Sequence, residues 1–397
     1  MIKRDEYLQR LIGFKDKQLI KVVTGIRRCG KSTLLKLFQD YLLQNGTDEN
    51  QIISINFEDP DFDNLKDFKI LYNYLNSKLA PDKKNYILLD EIQNVSDYQK
   101  AIDGLYIKDN VDIYITGSNA YFLSGELATL LTGRYVEIQM LPLSFKEYIS
   151  AFQDKSDLPS LYRQYIESGS FPYITALNGD KEQIKLYLNT IYNTVILKDV
   201  VSRRNIPDIS LLESIVKFMF DNIGNITTPK KISDTMTSKG RKISNHTVEN
   251  YLRALSDSFI LYKAGRYDIK GKQYLETQEK YYIVDIGLRY FLLGSKYVDM
   301  GHVLENIVYL ELIRRGYKVY IGKINSLEVD FVAEKNGDIE YYQVSQTVMD
   351  KSTLDRELAP LSNIKDHNPK YLITMDNIPA VSHNGIKQLY ALDWLLK

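Results

Sequence analysis

The sequence predicts an α/β protein whose first part is a parallel β-sheet. Between residues 1 and 140, short apolar runs alternate with longer amphipathic segments, which is the pattern of strands connected by helices. The run from Tyr86 to Leu89 is continuously apolar, as expected for a strand that is buried on both faces of such a sheet. The chain has 397 residues, too many for one ordinary domain. We therefore expect an α/β core followed by further domains.

Five strands are predicted in this core, and the chain changes character after it. The strands are Leu19–Thr24, Ile52–Phe57, Tyr86–Asp90, Val111–Thr116 and Tyr135–Met140. The pattern is helical from about Leu143 to Asn222, and helices followed by a β-hairpin are predicted for residues 223–284. A helix from His302 to Arg315 and three strands then return the chain to α/β, near Lys318–Ile321, Glu328–Ala333 and Ile339–Val344. We predict domain boundaries that give residues 1–142, 143–222, 223–297 and 298–397.

Composition excludes several classes of protein. The 51 basic and 51 acidic residues cancel, which excludes a nucleic-acid binder that is basic along its whole length but leaves a local basic patch open. The single cysteine, Cys29, cannot form an internal disulfide, and with only four histidines it argues against a structural zinc site. The sequence has no apolar run long enough to cross a bilayer, and its charged N-terminus lacks the apolar core of a signal peptide. We expect a cytoplasmic protein with no membrane partner.

A phosphate-binding motif follows the first predicted strand. Gly25, Gly30, Lys31 and Ser32 fit the pattern G-x-x-x-x-G-K-S, and an amphipathic helix from Ser32 to about residue 43 follows. The glycines let backbone N–H groups point at phosphate oxygens, the lysine adds a positive charge, and the serine hydroxyl binds Mg²⁺. A chance match in a glycine-rich turn would lack the flanking strand and helix. The motif predicts that ATP and Mg²⁺ bind at Gly25, Ile26, Arg27, Arg28, Cys29, Gly30, Lys31, Ser32 and Thr33.

An acidic pair ends the third predicted strand. Asp90 and Glu91 follow an apolar run, as in the second motif of nucleotide hydrolases. We expect Asp90 to hold Mg²⁺ through water, and Glu91 to orient or deprotonate the attacking water. Such a pair alone is often only a polar strand end, but it gains weight at this distance after the phosphate-binding motif.

Small polar residues end the fourth predicted strand. In a parallel sheet they face the ligand crevice at the carboxyl ends of the strands. Ser118 or Asn119 is therefore a candidate to contact the γ-phosphate or the attacking water. The alternative is a simple turn, because Gly-Ser-Asn favours turns without any function.

Taken together, these motifs resemble a family of prokaryotic AAA-type P-loop ATPases that carry a C-terminal domain of unknown function. The resemblance rests on Thr24 to Thr33, Leu89-Asp90-Glu91-Ile92-Gln93, Thr116 to Asn119, Gly133-Arg134-Tyr135, Leu141 to Phe145, Gly301-His302 with Glu305-Asn306, and Val329-Asp330-Phe331. It implies a P-loop NTPase sheet of the AAA type, a helical lid over residues 143–222, and assembly into a homo-oligomer.

The resemblance also implies an arginine that acts on the ATP of a neighbouring subunit. Arg134, just before the fifth predicted strand, is the candidate for such an arginine finger. Arg203 and Arg204 are rival candidates. The alternative for each is a surface ion pair, the commonest situation of an arginine.

A basic patch lies in residues 228–273, which hold ten basic and four acidic residues, an excess of six positive charges. The pattern resembles a winged helix, with a first helix, a turn, a second helix from Asn245 to about Ser256, and a hairpin. Phosphate contacts by such a patch suggest binding of double-stranded DNA, with Lys239, Arg241, Lys242 and Arg253 as candidates. The alternative is a module that docks an unknown protein partner.

The last predicted domain resembles a PD-(D/E)-x-K nuclease scaffold. Glu305 is predicted on a helix, Asp330 at the end of one strand and Gln343 on the next. A working site would need an acid at position 343 and a lysine at position 345, where the chain has Gln343 and Ser345. Gln343 offers a metal only one neutral oxygen. We therefore expect a degenerate fold used for binding or assembly, with an active nuclease as the alternative.

The sequence thus predicts Mg²⁺-dependent ATP binding and hydrolysis coupled to DNA or to a DNA-processing complex. Two alternatives stay open: a nucleotide-dependent regulatory switch that binds a protein partner, and an ATP-gated nuclease.

Overall fold

A computed structural model describes residues 2–120, 131, 133–201, 206–294 and 299–397. The chain divides into two compact units. The first comprises Met1–Pro142 together with Asp257–Phe259, and the second comprises Leu143–Ser256 and Ile260–Lys397. The finer division into four domains stays a prediction. No helix among the described residues is both long enough and apolar enough to span a membrane.

The first unit contains a five-stranded sheet. Its strands are β1 Ile20–Thr24, β2 Ile52–Asn56, β3 Asn85–Asp90, β4 Val111–Gly117 and β5 Tyr135–Gln139, in the order β2-β3-β4-β1-β5. Every neighbouring pair is parallel. All five predicted strands are therefore confirmed, each to within one residue at either end. Because the strands are parallel, their carboxyl ends meet at one edge of the sheet.

Among the described residues, four helices accompany this sheet: α1 Asp5–Gly13, α2 Lys31–Gln44, α3 Phe68–Lys78 and α4 Tyr98–Tyr106. Short 3₁₀ turns lie at Glu49–Gln51, Pro60–Leu65 and Ile92–Asn94. One apolar cluster joins strand side chains such as Ile87 and Leu89 to helix side chains such as Leu71 and Ile102. The central strands β1, β3 and β4 are buried along their whole length, which explains why they are mainly apolar. The charged residues Lys21 on β1 and Asp112 on β4 form a buried ion pair.

The second unit begins with helices, as predicted. They are α5 Phe145–Ile149, α6 Leu158–Ser168, α7 Lys181–Ile191 and α8 Ile209–Asp221, with a 3₁₀ segment at Pro172–Leu177 and a π-helical segment at Tyr192–Asp199. Aspartates begin three of these helices, where the carboxylates of Asp157, Asp180 and Asp208 accept hydrogen bonds from backbone N–H groups of the first turn. Arg203 and Arg204 lie outside the described residues.

Short strands and helices follow in the predicted order. They are β6 Ile226–Thr227, α9 Pro229–Ser238, α10 Asn245–Asp257, the hairpin strands β7 Leu261–Asp268 and β8 Gln273–Ile283, and α11 Ile286–Leu293. The chain then forms α12 Met300–Arg314, β9 Lys318–Ile324, β10 Leu327–Lys335, β11 Asp338–Ser345, α13 Lys351–Ser362, β12 Lys370–Thr374, β13 Val381–His383, β14 Ile386–Tyr390 and α14 Ala391–Leu396. Strands β12, β13 and β14 were not predicted.

The strands of the second unit form one nine-stranded sheet in the order β13-β14-β12-β11-β10-β9-β7-β8-β6. Strands β6 to β8 are joined to strands β9 to β14 by the parallel pairing of β7 with β9. In this pairing Arg266, Tyr267 and Asp268 lie opposite residues 321–323. The hairpin predicted with the winged helix and the strands predicted with the nuclease-like domain therefore share a single sheet.

Candidate active site

The loop between β1 and α2 depends on two glycines. Gly25 has φ +145°, and a Cβ atom there would lie 2.1 Å from the carbonyl oxygen of Met140. Gly30, with φ +105°, is the N-cap of α2 and offers that helix no side-chain cap. The backbone N–H groups of the first helical turn are left without a side-chain acceptor, so this end of α2 favours an anion.

Lys31 is the first residue of α2, and its side chain is only 3% exposed. Its ammonium lies 3.1 Å from the carbonyl oxygen of Gly25 and 3.4 Å from that of Ile26. The third partner is Glu91, whose Oε1 lies 3.3 Å away. These contacts hold the positive charge over the loop, beside the carboxyl end of β3.

The other loop residues fall into two groups. Ile26 and Cys29 are fully buried, so only their backbone is available to a nucleotide. Burial also raises the pKa of the Cys29 thiol. Arg28 is exposed, and Arg27 forms an ion pair with Glu58. The Ser32 side chain is exposed, and Thr33 follows it in the first turn of α2.

Asp90 ends β3 and is joined to Ser32 by a side-chain hydrogen bond. Thr116 on β4 donates its hydroxyl to Asp90 Oδ1 at 2.5 Å and accepts the N–H of Glu91 at 2.8 Å. Burial raises the pKa of Asp90, against the lowering effect of the hydrogen bonds from Ser32 and Thr116. The Ser32 hydroxyl and the Asp90 carboxylate together offer the oxygen ligands that Mg²⁺ prefers.

Glu91 has a left-handed backbone conformation, with φ +53°, which non-glycine residues adopt rarely. Its carboxylate is bound by Lys31, by the amide of Gln93 and by the hydroxyl of Ser118. Burial alone would raise the pKa of Glu91, but the charge of Lys31 and these hydrogen bonds lower it. The carboxylate is therefore ionised at neutral pH and held at the sheet edge.

Gln93, near this carboxylate, was missed by sequence reasoning, and the choice between Ser118 and Asn119 was left undecided. Gln93 also donates its amide to Ser118 Oγ at 3.3 Å, which links the ends of β3 and β4. Of the two candidates at the end of β4, Ser118 bonds the Glu91 carboxylate, and Asn119 is buried beside it in sequence with 9% exposure. Gln93 follows the acidic pair by two residues, a spacing that could have suggested a role.

Arg4 and Tyr7 support the loop from outside it, and nothing in the sequence pointed to them. Arg4 is buried and donates to the carbonyl oxygens of Cys29, at 2.8 Å, and Leu141, at 2.7 Å. The Tyr7 hydroxyl accepts the N–H of Leu141 at 3.1 Å. The N-terminal segment thus ties the loop to the chain that follows β5.

Arg134, the predicted finger, lies at the other edge of the sheet. It precedes β5, so it is at the amino end of a strand whose carboxyl end is beside the loop, about 16 Å away along five residues. Its guanidinium pairs with Asp103 and lies 5.5 Å from the ring centre of Tyr106. The role of Arg134 stays a prediction, as do those of Arg203 and Arg204.

The four predicted DNA-binding residues are exposed. Lys239, Arg241 and Lys242 lie in the turn between α9 and α10, and Arg253 lies on α10. Arg241 donates to Ser210 Oγ at 2.9 Å. The exposed face of α10 also carries His246 and Asn250, whose side chains lie 3.3 Å apart.

The predicted nuclease-like residues are brought together, but around a lysine that sequence reasoning missed. Lys280 on β8 lies 3.1 Å from Glu305 Oε1 on α12 and 2.7 Å from Glu328 Oε1 on β10. Asp330 on β10 and Gln343 on β11 are also buried here. Burial raises the pKa of Asp330 well above its usual range, and Glu305 adds to that rise.

Gln343 uses both ends of its amide within the protein. Its oxygen accepts the N–H of Asp330 at 3.3 Å, and its nitrogen donates to Glu357 at 3.0 Å. Ser345 donates to the carbonyl oxygen of Thr347 at 3.1 Å. Within the part of the chain that the structure describes, there is no group of three or more His, Cys, Asp and Glu side chains placed to hold a metal ion.

Comparisons with known proteins agree with the sheet and the loop. A family model described as an AAA domain matches residues 17–149, and one described as domain of unknown function DUF8612 matches residues 159–299. A solved Walker-type ATPase of Pyrococcus abyssi matches with a TM-score of 0.53 at 16% identity, over 74% of this chain and 96% of that chain. At this identity the likeness concerns the fold alone.

Two relatives extend the match over most of the chain. An uncharacterized protein of Haemophilus influenzae is 43% identical over 401 residues, which cover 100% of this chain and 99% of that protein. An uncharacterized protein of Methanocaldococcus jannaschii is 32% identical over 333 residues, 79% of this chain and 71% of that protein. The chain therefore belongs to the family that includes these two proteins, and it is a P-loop ATPase in which an AAA domain precedes a C-terminal domain of unknown function.

Proposed function

We propose that the protein binds ATP with Mg²⁺ at the loop between β1 and α2 and hydrolyses it. The observation that carries this proposal is the meeting of Lys31, Ser32, Asp90 and Glu91 at one edge of the parallel sheet. Lys31 pairs with the β- and γ-phosphates, and the N–H groups at the start of α2 bind phosphate oxygens. In this proposal the ammonium exchanges its long contacts to backbone carbonyls and to Glu91 for phosphate oxygens.

Ser32 and Asp90 would hold Mg²⁺, which neutralises charge on the phosphates when it is bound. Glu91 accepts a proton from the attacking water or orients it. The hydrogen bonds of Gln93 and Ser118 keep the carboxylate in place, and Thr116 fixes Asp90 and Glu91 relative to each other. Asn119 beside them is the candidate contact to the γ-phosphate.

Loss of the lysine charge tests this site directly. Lys31→Ala should abolish ATP binding, measured by calorimetry on the full chain, because the phosphates lose their counter-ion. Lys36→Ala is the matched control, since Lys36 is an exposed lysine of the same helix. A folded Lys31→Ala protein with the ATP affinity of the control would refute the assignment.

We further propose that nucleotide state is coupled to double-stranded DNA through α9, α10 and the β7–β8 hairpin. The order of these elements, with β8 paired between β6 and β7, supports a winged helix. Lys239, Arg241 and Lys242 are exposed in the turn before α10, where they are available to phosphates. Arg253, His246 and Asn250 lie on the exposed face of α10, the helix that would enter a groove.

The salt dependence of binding tests the DNA contact. If all three turn residues meet phosphates, their triple alanine variant should lower the slope of log affinity against log salt by about 2–3. The control is a triple alanine variant at the exposed residues Lys155, Lys351 and Lys365. An unchanged slope removes the turn from the contact surface. ATP turnover stimulated by a protein partner without DNA would instead favour a regulatory switch.

Assembly is the third part of the proposal, with Arg134 acting on the ATP of a neighbouring subunit. Its exposed ion pair with Asp103 is half-solvated and therefore weak, so the guanidinium is available to a partner. Arg134→Ala should bind ATP normally and lose turnover. Mixed with Glu91→Gln, it should regain partial activity, because some interfaces then pair an intact arginine with an intact carboxylate. If mixed assemblies form but stay inactive, Arg134 does not act between subunits.

A further inference from the structure

The predicted nuclease-like cluster already contains a cation of its own. Lys280 is buried, with a side chain 6% exposed, and pairs with both Glu305 and Glu328. We propose that the ammonium of Lys280 stands where a metal-dependent nuclease would hold its divalent cation. The cluster is then a structural ion-pair network that joins β8, α12 and β10. The nuclease-like part of the chain is in that case a scaffold without a metal site.

Lys280 supplies a positive charge inside the cluster. The carboxyl groups around it are Glu305, Glu328 and Asp330. Burial and the neighbouring Glu305 raise the pKa of Asp330, which favours its neutral form. Glu328 is about one-third exposed, so solvent screens its charge. Lys280 therefore compensates the buried Glu305, and the buried part of the cluster has little uncompensated negative charge to attract a divalent ion.

One oxygen atom of each of three cluster side chains already accepts hydrogen bonds from the protein. Glu305 Oε1 accepts the ammonium of Lys280 and the hydroxyl of Tyr282, the latter at 2.6 Å. Asp330 Oδ2 accepts the N–H of Val344 at 2.8 Å. The Gln343 oxygen is taken by the N–H of Asp330. A metal that used these oxygens would have to displace their hydrogen-bond donors, and a buried donor left unpaired is costly.

The neighbouring residue gives the same helix a second attachment to β8. Asn306 accepts the N–H of Ile283 at 2.8 Å and donates to the carbonyl oxygen of Ile283 at 2.9 Å. Glu305 and Asn306 are thus consecutive residues of α12 that bind consecutive parts of the hairpin strand. The Glu305-Asn306 part of the motif therefore has a structural role, which is to fasten α12 to strand β8 of the hairpin.

Metal titration of the full chain without nucleotide tests the proposal. The unfolding midpoint is followed with increasing Mn²⁺ for the wild type, Asp330→Asn, Lys280→Met and the control Lys263→Met, an exposed lysine of the neighbouring strand β7. Wild type, Asp330→Asn and the control should respond alike. Lys280→Met should have a lower midpoint in the absence of metal and should gain Mn²⁺-dependent stabilisation of about 5 °C or more at saturation.

Two results would overturn the proposal. The first is Mn²⁺ stabilisation or Mn²⁺-dependent DNA cleavage in the wild type that Asp330→Asn abolishes, a comparison that needs no lysine variant to fold. The second is a folded Lys280→Met protein that responds to Mn²⁺ no more than Lys263→Met does, because the lysine would then not stand in the place of a cation.

Discussion

Lys31 and Lys280 are both buried lysines that face carboxylates, and they are held in different ways. Lys31 is 3% exposed and Lys280 is 6% exposed. Lys31 begins a helix after a loop that contains two glycines with positive φ, and its contacts are 3.1–3.4 Å long, two of them to backbone carbonyls. Lys280 lies within an eleven-residue strand and contacts two carboxylates at 2.7 and 3.1 Å.

The difference shows that a buried lysine can exchange its protein contacts for a ligand in one place and keep its contacts permanently in another. At the junction of loop and helix, long contacts to neutral carbonyls are replaced at little cost when phosphate oxygens arrive. In the sheet, each partner of Lys280 is fixed by a regular element, and removal of the lysine leaves the buried Glu305 carboxylate without its cation. The backbone around each lysine, more than its charge, decides whether a ligand can take its place.

Replacement of each lysine by methionine should separate the two roles most strongly. Lys280→Met should lower the free energy of unfolding by about 3–5 kcal/mol, the usual result when one partner of a buried ion pair is removed. Lys31→Met should lower it by about 1 kcal/mol, because Glu91 keeps its hydrogen bonds from Gln93 and Ser118. Urea unfolding of both variants measures this, and equal losses would break the comparison.

The glutamates beside these lysines, Glu91 and Glu305, should also have different roles, one in turnover and the other in stability. Glu91→Gln should keep ATP and Mg²⁺ binding while turnover falls by about 100-fold, since the group that handles water is lost. Glu305→Gln should leave turnover near the wild-type rate and lower the unfolding midpoint. Steady-state kinetics and thermal unfolding of both variants are the measurements. Wild-type turnover in Glu91→Gln would place the base elsewhere.

The candidate nucleotide site, where Lys31, Asp90 and Glu91 meet at one edge of the parallel sheet, could be predicted from the sequence. Its residues are close along the chain or stand at the ends of apolar strands. The loop is one continuous motif, and the buried parallel strands that lead to Asp90 and Thr116 contain the apolar runs Tyr86–Leu89 and Ile113–Ile115. Gln93 lies only two residues from Glu91, so predicting its contact with the Glu91 carboxylate required only the orientation of the Gln93 side chain. Arg4 could not be found, because its partners Cys29 and Leu141 are 25 and 137 residues away.

The cluster of carboxyl groups around Lys280 could be predicted only in part. Glu305, Asp330 and Gln343 were placed by resemblance, and the structure does bring them together. Lys280 is 25 residues from Glu305 and on a strand assigned to another domain, and only the pairing of β7 with β9 puts that hairpin in the same sheet. Strand β13 was missed because it has three residues, of which Val381 and Ser382 are exposed.

A smaller effect is expected from the residue that holds the Glu91 carboxylate. Gln93→Leu removes a hydrogen bond to a charged group, and we expect turnover to fall about tenfold with unchanged ATP affinity. Gln44→Leu is the control, because Gln44 is exposed at the end of α2. A change in ATP affinity instead of turnover would show that Gln93 shapes the loop and does not position the carboxylate.

The smallest effect concerns the pH dependence of stability at the second cluster. Burial and Glu305 raise the pKa of Asp330 in the folded protein above its value in the unfolded chain. Between these two pKa values the folded state holds the extra proton, so the free energy of unfolding falls as pH rises. Asp330→Asn keeps the shape and the acceptor for the Val344 N–H but has no proton to lose.

The variant should therefore gain stability relative to the wild type as pH increases. We expect the difference in free energy of unfolding to shift in its favour by about 1 kcal/mol between pH 5 and pH 8, measured by urea unfolding at each pH. Asp338→Asn is the control, because Asp338 is an exposed aspartate at the start of β11. A difference that stays constant between pH 5 and pH 8 would mean that Asp330 is already ionised in the folded state, because neither state then loses a proton in this range. The cluster would then carry an unbalanced negative charge that Lys280 alone does not neutralise, which is the condition under which a divalent cation could bind.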